Sequence, residues 1–128
     1  MNASEAARRW AESWTRAWPA ADVEAIAALY APDARFYSHP FRQHESPEEY
    51  VRWAFADQAE AECRFGRPLV QDDRGAVDWW GVITARDGSI QTVAGTSLLR
   101  FDEDGLVVEQ RDAWGEREGR HELPEWAR

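Results

Sequence analysis

Three short turn motifs constrain most of what this chain can become. Asp72-Asp73-Arg74-Gly75, Arg86-Asp87-Gly88-Ser89 and Asp102-Glu103-Asp104-Gly105 separate runs rich in β-branched and aromatic residues. Connections this short join antiparallel neighbours, because a parallel crossover needs about a dozen residues or more. Residues 60–116 are therefore expected to form a four-stranded meander. The first half has helical rather than strand periodicity. From a candidate cap at Ser4, Ala7, Trp10, Trp14 and Trp18 recur at spacings of three and four, and Pro19 ends the run. Asp22 caps a short second helix with Val23, Ile26, Leu29 and Tyr30 on its apolar face, closed by Pro32-Asp33. Ala34 to His39 reads as a short strand. Ser46-Pro47-Glu48-Glu49 combines a cap serine, a first-turn proline and a glutamate three residues after the cap, which is a capping box. The helix it opens is expected to bury Tyr50, Val51, Trp53, Ala54 and Phe55. Helices first and strands second give an α+β fold, with three N-terminal helices on a curved, mainly antiparallel sheet that encloses a pocket. Residues 1–128 are expected to form one domain.

Composition removes several chemistries. All 15 basic residues are arginine, so no lysine nucleophile or Schiff base is available. A single cysteine excludes an internal disulfide and any CxxC site. The net charge of −9, with no basic footprint, argues against nucleic-acid partners. No apolar run reaches membrane-spanning length, and Met1 to Trp18 lacks the apolar core of a signal peptide. A soluble cytoplasmic protein is expected. His39, His44 and His121 do not have metal-ligand spacing, so neither a metal nor a cofactor is expected.

Centring each turn on its middle pair gives a trial register. Phe101 then faces Leu106, Ser97 faces Gln110, Gly95 faces Asp112, Val82 faces Val93, Trp80 faces Gly95, Leu69 faces Asp78 and Arg67 faces Trp80. One face then carries two polar rows, Arg67-Trp80-Gly95-Asp112 and Leu69-Asp78-Ser97-Gln110. Polar groups on a covered face must be paired or must line a cavity. Gly95 beside Asp112 leaves room, so a pocket is expected there with Asp112 in its wall. The opposite face holds Val77, Trp79, Ile83, Thr96 and Leu98, which is too apolar for open water. A homodimer through that convex face is the simplest cover. Glu118 to Arg128 either folds over the pocket mouth, packs on a partner or stays loose.

The order of elements, with Trp14-Thr15-Arg16-Ala17-Trp18, Ala28-Leu29-Tyr30-Ala31-Pro32-Asp33-Ala34, Phe36-Tyr37-Ser38-His39-Pro40, Leu99 to Val107 and Glu109 to Trp114, resembles the SnoaL-like branch of the nuclear transport factor 2-like superfamily. The resemblance spans nearly the whole chain. It implies a cone-like fold with a pocket, and it leaves activity open, since the superfamily hosts isomerases, cyclases, dehydratases, epoxide hydrolases and binding domains. The acid that ketosteroid isomerases carry on the first strand is missing from Ser38-His39-Pro40. Trp14 stands where they have a donor tyrosine, and Ser97 where they have a second donor acid. The arginine and aspartate of limonene-epoxide-type hydrolases fall on Trp80 and Val82. Asp112, which matches the last-strand acid of these hydrolases and of SnoaL-type cyclases, is the one functional position that survives.

Asp112 is thus the candidate acid–base residue, or else a structural acid paired with Arg67 or Arg111. His39 is the candidate helper, although alternation with Phe36 turns Ser38 inward and His39 toward the rim. Candidate substrate-binding residues are Trp14, Ser38, Tyr50, Trp53, Arg67, Asp78, Trp80, Ser97, Gln110 and Trp114. The expected function is binding of a small, largely apolar molecule, with cofactor-free acid–base catalysis of the isomerase, cyclase, dehydratase or epoxide-hydrolase kind. The alternative is a non-catalytic ligand-binding or dimerisation module of the same fold.

Overall fold

A computed structural model describes residues 1–125. Its elements run α1 (Ala3–Ala20), α2 (Val23–Ala27), β1 (Tyr30–Tyr37), α3 (Pro47–Ala56), β2 (Gln58–Phe65), β3 (Leu69–Gln71), β4 (Arg74–Ala85), β5 (Ile90–Phe101) and β6 (Val107–Glu118). The sheet has the order β1-β6-β5-β4-β2, with β3 also pairing β4. Among the described residues only the β1–β6 pair is parallel. The expected α+β architecture is present, with the meander extended by β1 at one edge.

Asn2, rather than Ser4, caps α1, its side chain accepting from Glu5 N at 2.8 Å. Pro19 lies inside the last turn of α1 rather than beyond it. Lacking an N–H, it leaves the Thr15 carbonyl without its usual partner. The Cys63 thiol from β2 donates to that carbonyl at 3.7 Å. Gln58 Nε2, from the same strand, bonds the Trp18 carbonyl at 2.7 Å. These two bonds hold the end of α1 against β2. Asp22 and Ser46 cap α2 and α3 as expected, accepting from Ala25 N and Glu49 N. Pro32 and Asp33 fall within β1, at the irregularity between Tyr30 and Arg35.

The meander departs from the trial register in ways that decide the site. The second hairpin closes Ala85 N to Ser89 O at 2.8 Å over three residues, with Gly88 at φ 88. A three-residue loop with a left-handed glycine changes the pairing by one residue. Trp79, not Trp80, is opposite Gly95, and Val77, not Asp78, is opposite Ser97. Because side chains alternate, this turns β4 over. Val77, Trp79 and Ile83 therefore face the helices, which corrects their expected placement on the convex face of the proposed homodimer. Trp80, Asp78 and Val82 take the outer side, with Thr96 and Leu98. The third hairpin shifts by two residues, which preserves faces: Ser97 pairs with Asp112, Leu99 with Gln110 and Gly95 with Trp114. The first shifts by two as well, so that Leu69 pairs with Ala76. Arg67 lies between β2 and β3, exposed and far from the pairing with Trp80 that the trial register gives it.

The core lies between α1 and the concave face of the sheet. Phe65 on β2 meets the rings of Trp10, Trp14 and Trp18 at centroid distances of 5.5, 6.5 and 6.1 Å. Trp18 reaches Trp79 at 5.9 Å in an edge-to-face contact. Such offset geometries are the preferred aromatic contacts. The α1 stripe is therefore core on one side and cavity wall on the other. Gly119 turns the chain end back onto the outer face, where Thr92 Oγ1 donates to the Gly119 carbonyl and accepts from His121 N, and Arg120 pairs with Glu62. Up to residue 125 the tail therefore does not cover the pocket mouth; residues 126–128 of that tail lie outside the described residues.

Candidate functional site

The sheet rows explain why a cavity forms. Phe65, Trp79, Gly95 and Trp114 lie across β2, β4, β5 and β6 in one row on the concave face. Two indoles flank a residue with no side chain. The next row is Val77, Ser97 and Asp112, and the one after it Gly75, Leu99, Gln110 and Phe36. Helices α1 and α3 close over these rows with Trp10, Trp14, Trp18, Tyr50 and Phe55. The resulting cavity has a volume of about 120 Å³. That is several times the space one water needs. Ser97, Gln110, Asp112 and Gln58 are polar islands in a lining dominated by aromatic and aliphatic side chains.

Gly95 does not leave the room expected of it. A Cβ there would come within 2.4 Å of Trp114 Cβ and of the Ala113 carbonyl, so the glycine is required by close strand approach.

Asp112 is half-buried and lines the cavity. Burial pushes its carboxyl up to about 7, against the opposing effect of hydrogen bonds from Ser97 and Gln110. Ser97 Oγ donates to Oδ1 at 2.6 Å and Gln110 Nε2 donates to the same oxygen at 2.9 Å. Among the described residues no arginine pairs with it: Arg111 points to the outer side and meets Glu109 at 3.7 Å. The structural ion pair with Arg67 or Arg111 is thereby excluded. Behind Ser97 and Gln110 lies a second tier of donors. Trp79 Nε1 donates to Ser97 Oγ at 3.0 Å, and Trp10 Nε1 and the Tyr30 hydroxyl both donate to Gln110 Oε1. Burial raises the Tyr30 phenol well above its ordinary value and pushes Tyr50 up to about 12, so both are neutral near pH 7. Trp14 Nε1 is buried and makes no hydrogen bond of good geometry among the described residues, though it bears on the Tyr30 hydroxyl.

Of the sequence-predicted residues, the fold brings Trp14, Tyr50, Ser97, Gln110, Asp112 and Trp114 to the cavity wall. Six others lie elsewhere. His39 lies in the bend that follows β1, packs edge-on against Trp114 at 5.6 Å and is not a wall residue. Ser38 is fully buried, but its hydroxyl is used by Arg42 at 3.1 Å, and its carbonyl accepts from Trp114 Nε1. Trp53 is 68% exposed on the outer side of α3. Arg67 is on a loop, and Asp78 and Trp80 sit on the outer face with the rest of the inverted β4 positions. Sequence reasoning missed Trp10, Trp18, Phe65 and Trp79 as wall residues. Trp79 was recoverable only by recognising Gly88 as the left-handed residue of a three-residue loop.

Cys63, the only thiol, is held neutral by burial, which pushes it up to about 12. Among the described residues no group of three His, Cys, Asp or Glu side chains is placed to hold a metal ion, and no helix is long and apolar enough to cross a membrane.

Comparison with known proteins fits this architecture. No curated protein matches the sequence. Among solved structures, Rv0760c from Mycobacterium tuberculosis superposes with a TM-score of 0.75 at 18% identity, over 89% of this chain and 96% of that one. SalBIII, an epoxide hydrolase/cyclase-like enzyme with a role in pyran ring formation in the polyether salinomycin, gives 0.73 at 18% identity, over 87% and 91%. An NTF2-like protein of unknown function from Exiguobacterium sp. 255-15 gives 0.70 at 17% identity, over 86% and 98%. At these identities the likeness is one of fold. The SnoaL-like domain family matches residues 8–110, four-fifths of the sequence, and the chain belongs to that family.

Proposed function

We propose that the protein binds a small, mainly apolar, oxygen-bearing molecule in the concave cavity and that Asp112 exchanges a proton with it. The observation that carries this reading is one accessible carboxyl, with Ser97, Gln110 and Gln58 as the other polar side chains, in a wall dominated by rings and aliphatic chains. Apolar cavities with a few convergent polar groups are the usual form of small-molecule sites. Desolvation brings the carboxyl's titration near neutrality, where a single group can serve as acid or base.

The reaction class is proton transfer without a resident cofactor, of the isomerising, cyclising, dehydrating or ring-opening kind. A second reading, binding without turnover, draws on the absence of another group in the wall that titrates near neutrality: His39 is turned away, and Tyr30 and Tyr50 stay neutral.

Both readings are tested by a thermal-shift screen of small cyclic alcohols, ketones and epoxides, followed by turnover assays on every hit. Stabilisation of the wild type together with turnover that Asp112→Asn abolishes supports the catalytic reading. Stabilisation without turnover favours the binding module. Failure of every compound to raise Tm contradicts a ligand cavity.

A further inference from the structure

The two oxygens of Asp112 are not equivalent. We propose that the polar tier behind it fixes Oδ1 as a permanent acceptor, so that every proton gained or lost by Asp112 passes through Oδ2, with Trp79, Trp10 and Tyr30 as positioning residues. This rests on the reading of Asp112 as the acid–base group, but its test requires no substrate.

An indole N–H can only donate. Trp79 Nε1, 3.0 Å from Ser97 Oγ, therefore occupies a lone pair of that hydroxyl. Ser97 has one hydrogen, and the remaining partner is Asp112 Oδ1 at 2.6 Å, so the hydrogen points there. The Gln110 amide is oriented in the same way. Its Oε1 end faces the donor-only indole of Trp10 at 3.2 Å, whose N–H is shared with the Tyr30 oxygen at the same distance, and it accepts from the Tyr30 hydroxyl. A flipped amide would set N–H against N–H at Trp10. Nε2 is thus held toward Asp112 Oδ1 at 2.9 Å. Two hydrogens already converge on Oδ1, and a third would require Ser97 or Gln110 to turn its donor away.

Oδ2 accepts no bond from the described residues, and it is not among the buried atoms left without a partner, so it keeps accessible surface in the cavity wall. The other titratable groups that bear on Asp112 are Tyr30 from β1 and Tyr50 from α3, with Arg42 and Glu45 acting on Tyr50 from the preceding loop. Neither phenol ionises near pH 7. The proton that titrates there belongs to Oδ2, the oxygen a ligand can reach.

The test follows Asp112 Cγ by carbon-13 NMR through a pH titration of the wild type, Ser97→Ala, Trp79→Phe and the double variant. Ser97→Ala removes a donor to the carboxylate and should raise the midpoint by about one pH unit. Trp79→Phe, which leaves the Ser97 donor in place but less polarised, should raise it by less. On the Ser97→Ala background the Trp79→Phe shift should vanish, because its route is gone. An equal Trp79→Phe shift on both backgrounds, or none on either, overturns the proposal. Neutron diffraction of the deuterated wild type below the midpoint is a second test that needs no variant: deuterium on Oδ2 is expected, and deuterium on Oδ1 contradicts the assignment. A low wild-type midpoint would instead count against Asp112 as the acid–base group, whereas the coupling between Trp79 and Ser97 bears on the oxygen assignment alone.

Discussion

Trp18 rests on the bare backbone of Gly81, so closely that a Cβ at residue 81 would lie 2.7 Å from the far edge of the indole. The contact ties the end of α1 to the middle of β4 and sets the position of the wall facing Asp112. Trp18 is boxed by Phe65 and Trp79 and cannot retreat freely. Gly81→Ala should destabilise the protein by about 1–3 kcal/mol, the usual cost of overpacking. Urea denaturation followed by tryptophan fluorescence measures this. An unchanged midpoint would mean that α1 is not pinned at this point.

Asp112→Asn should have opposite consequences for activity and stability. Asparagine can keep Oδ1 as acceptor for Ser97 and Gln110 while its amide faces the cavity. In the folded protein the carboxyl titrates at about 7. In the unfolded chain it titrates near ~3.9. The folded state therefore holds a proton that the unfolded state has lost between these values. The stability this provides is complete below about pH 4 and is lost as pH rises through about 7. At pH 8 the wild type carries a half-buried carboxylate in the apolar wall and the variant does not. Asp112→Asn should be more stable there by up to roughly 4 kcal/mol, with the difference shrinking toward pH 4. Urea midpoints at the two pH values check this; a gap independent of pH contradicts it.

The inverted β4 makes Trp79 and Trp80 a matched pair of probes. Trp79→Ala removes a wall of the cavity and the donor to Ser97, and should cost about 3–5 kcal/mol if the void stays open. Trp80→Ala acts on the outer face and should leave ligand-induced thermal shifts unchanged. The reverse pattern would restore the register that a two-residue second turn implies.

Trp53→Ala should alter stability by less than about 0.5 kcal/mol, as expected of an exposed position, and should leave ligand binding unaffected. Calorimetry of the variant checks this. A large loss would mean that its contact with Tyr50, at 6.0 Å between ring centroids, carries more than an exposed position should.

Much of this was legible in the sequence because it is local. The Asp22 cap, the Ser46 box and the three turns each depend on a few adjacent residues. The identity of Asp112 was legible because its register error was an even number of residues, which keeps faces. The β4 face was not, because one extra loop residue at Gly88 reverses every side chain of the strand. Trp53 looked buried because α3 carries apolar residues on more than half its circumference, and only packing shows which of them meets the sheet. Ser38 has the right alternation, but Arg42 and Glu45 occupy its hydroxyl, and they reach it through a loop whose path no periodicity reveals.

The central claim is that Asp112 is a carboxyl poised near neutrality in an apolar cavity. The most direct test is the titration of its Cγ resonance in the wild-type protein. A midpoint near 7 is the expected result. A midpoint near ~4, that of a solvated aspartate, would contradict the account.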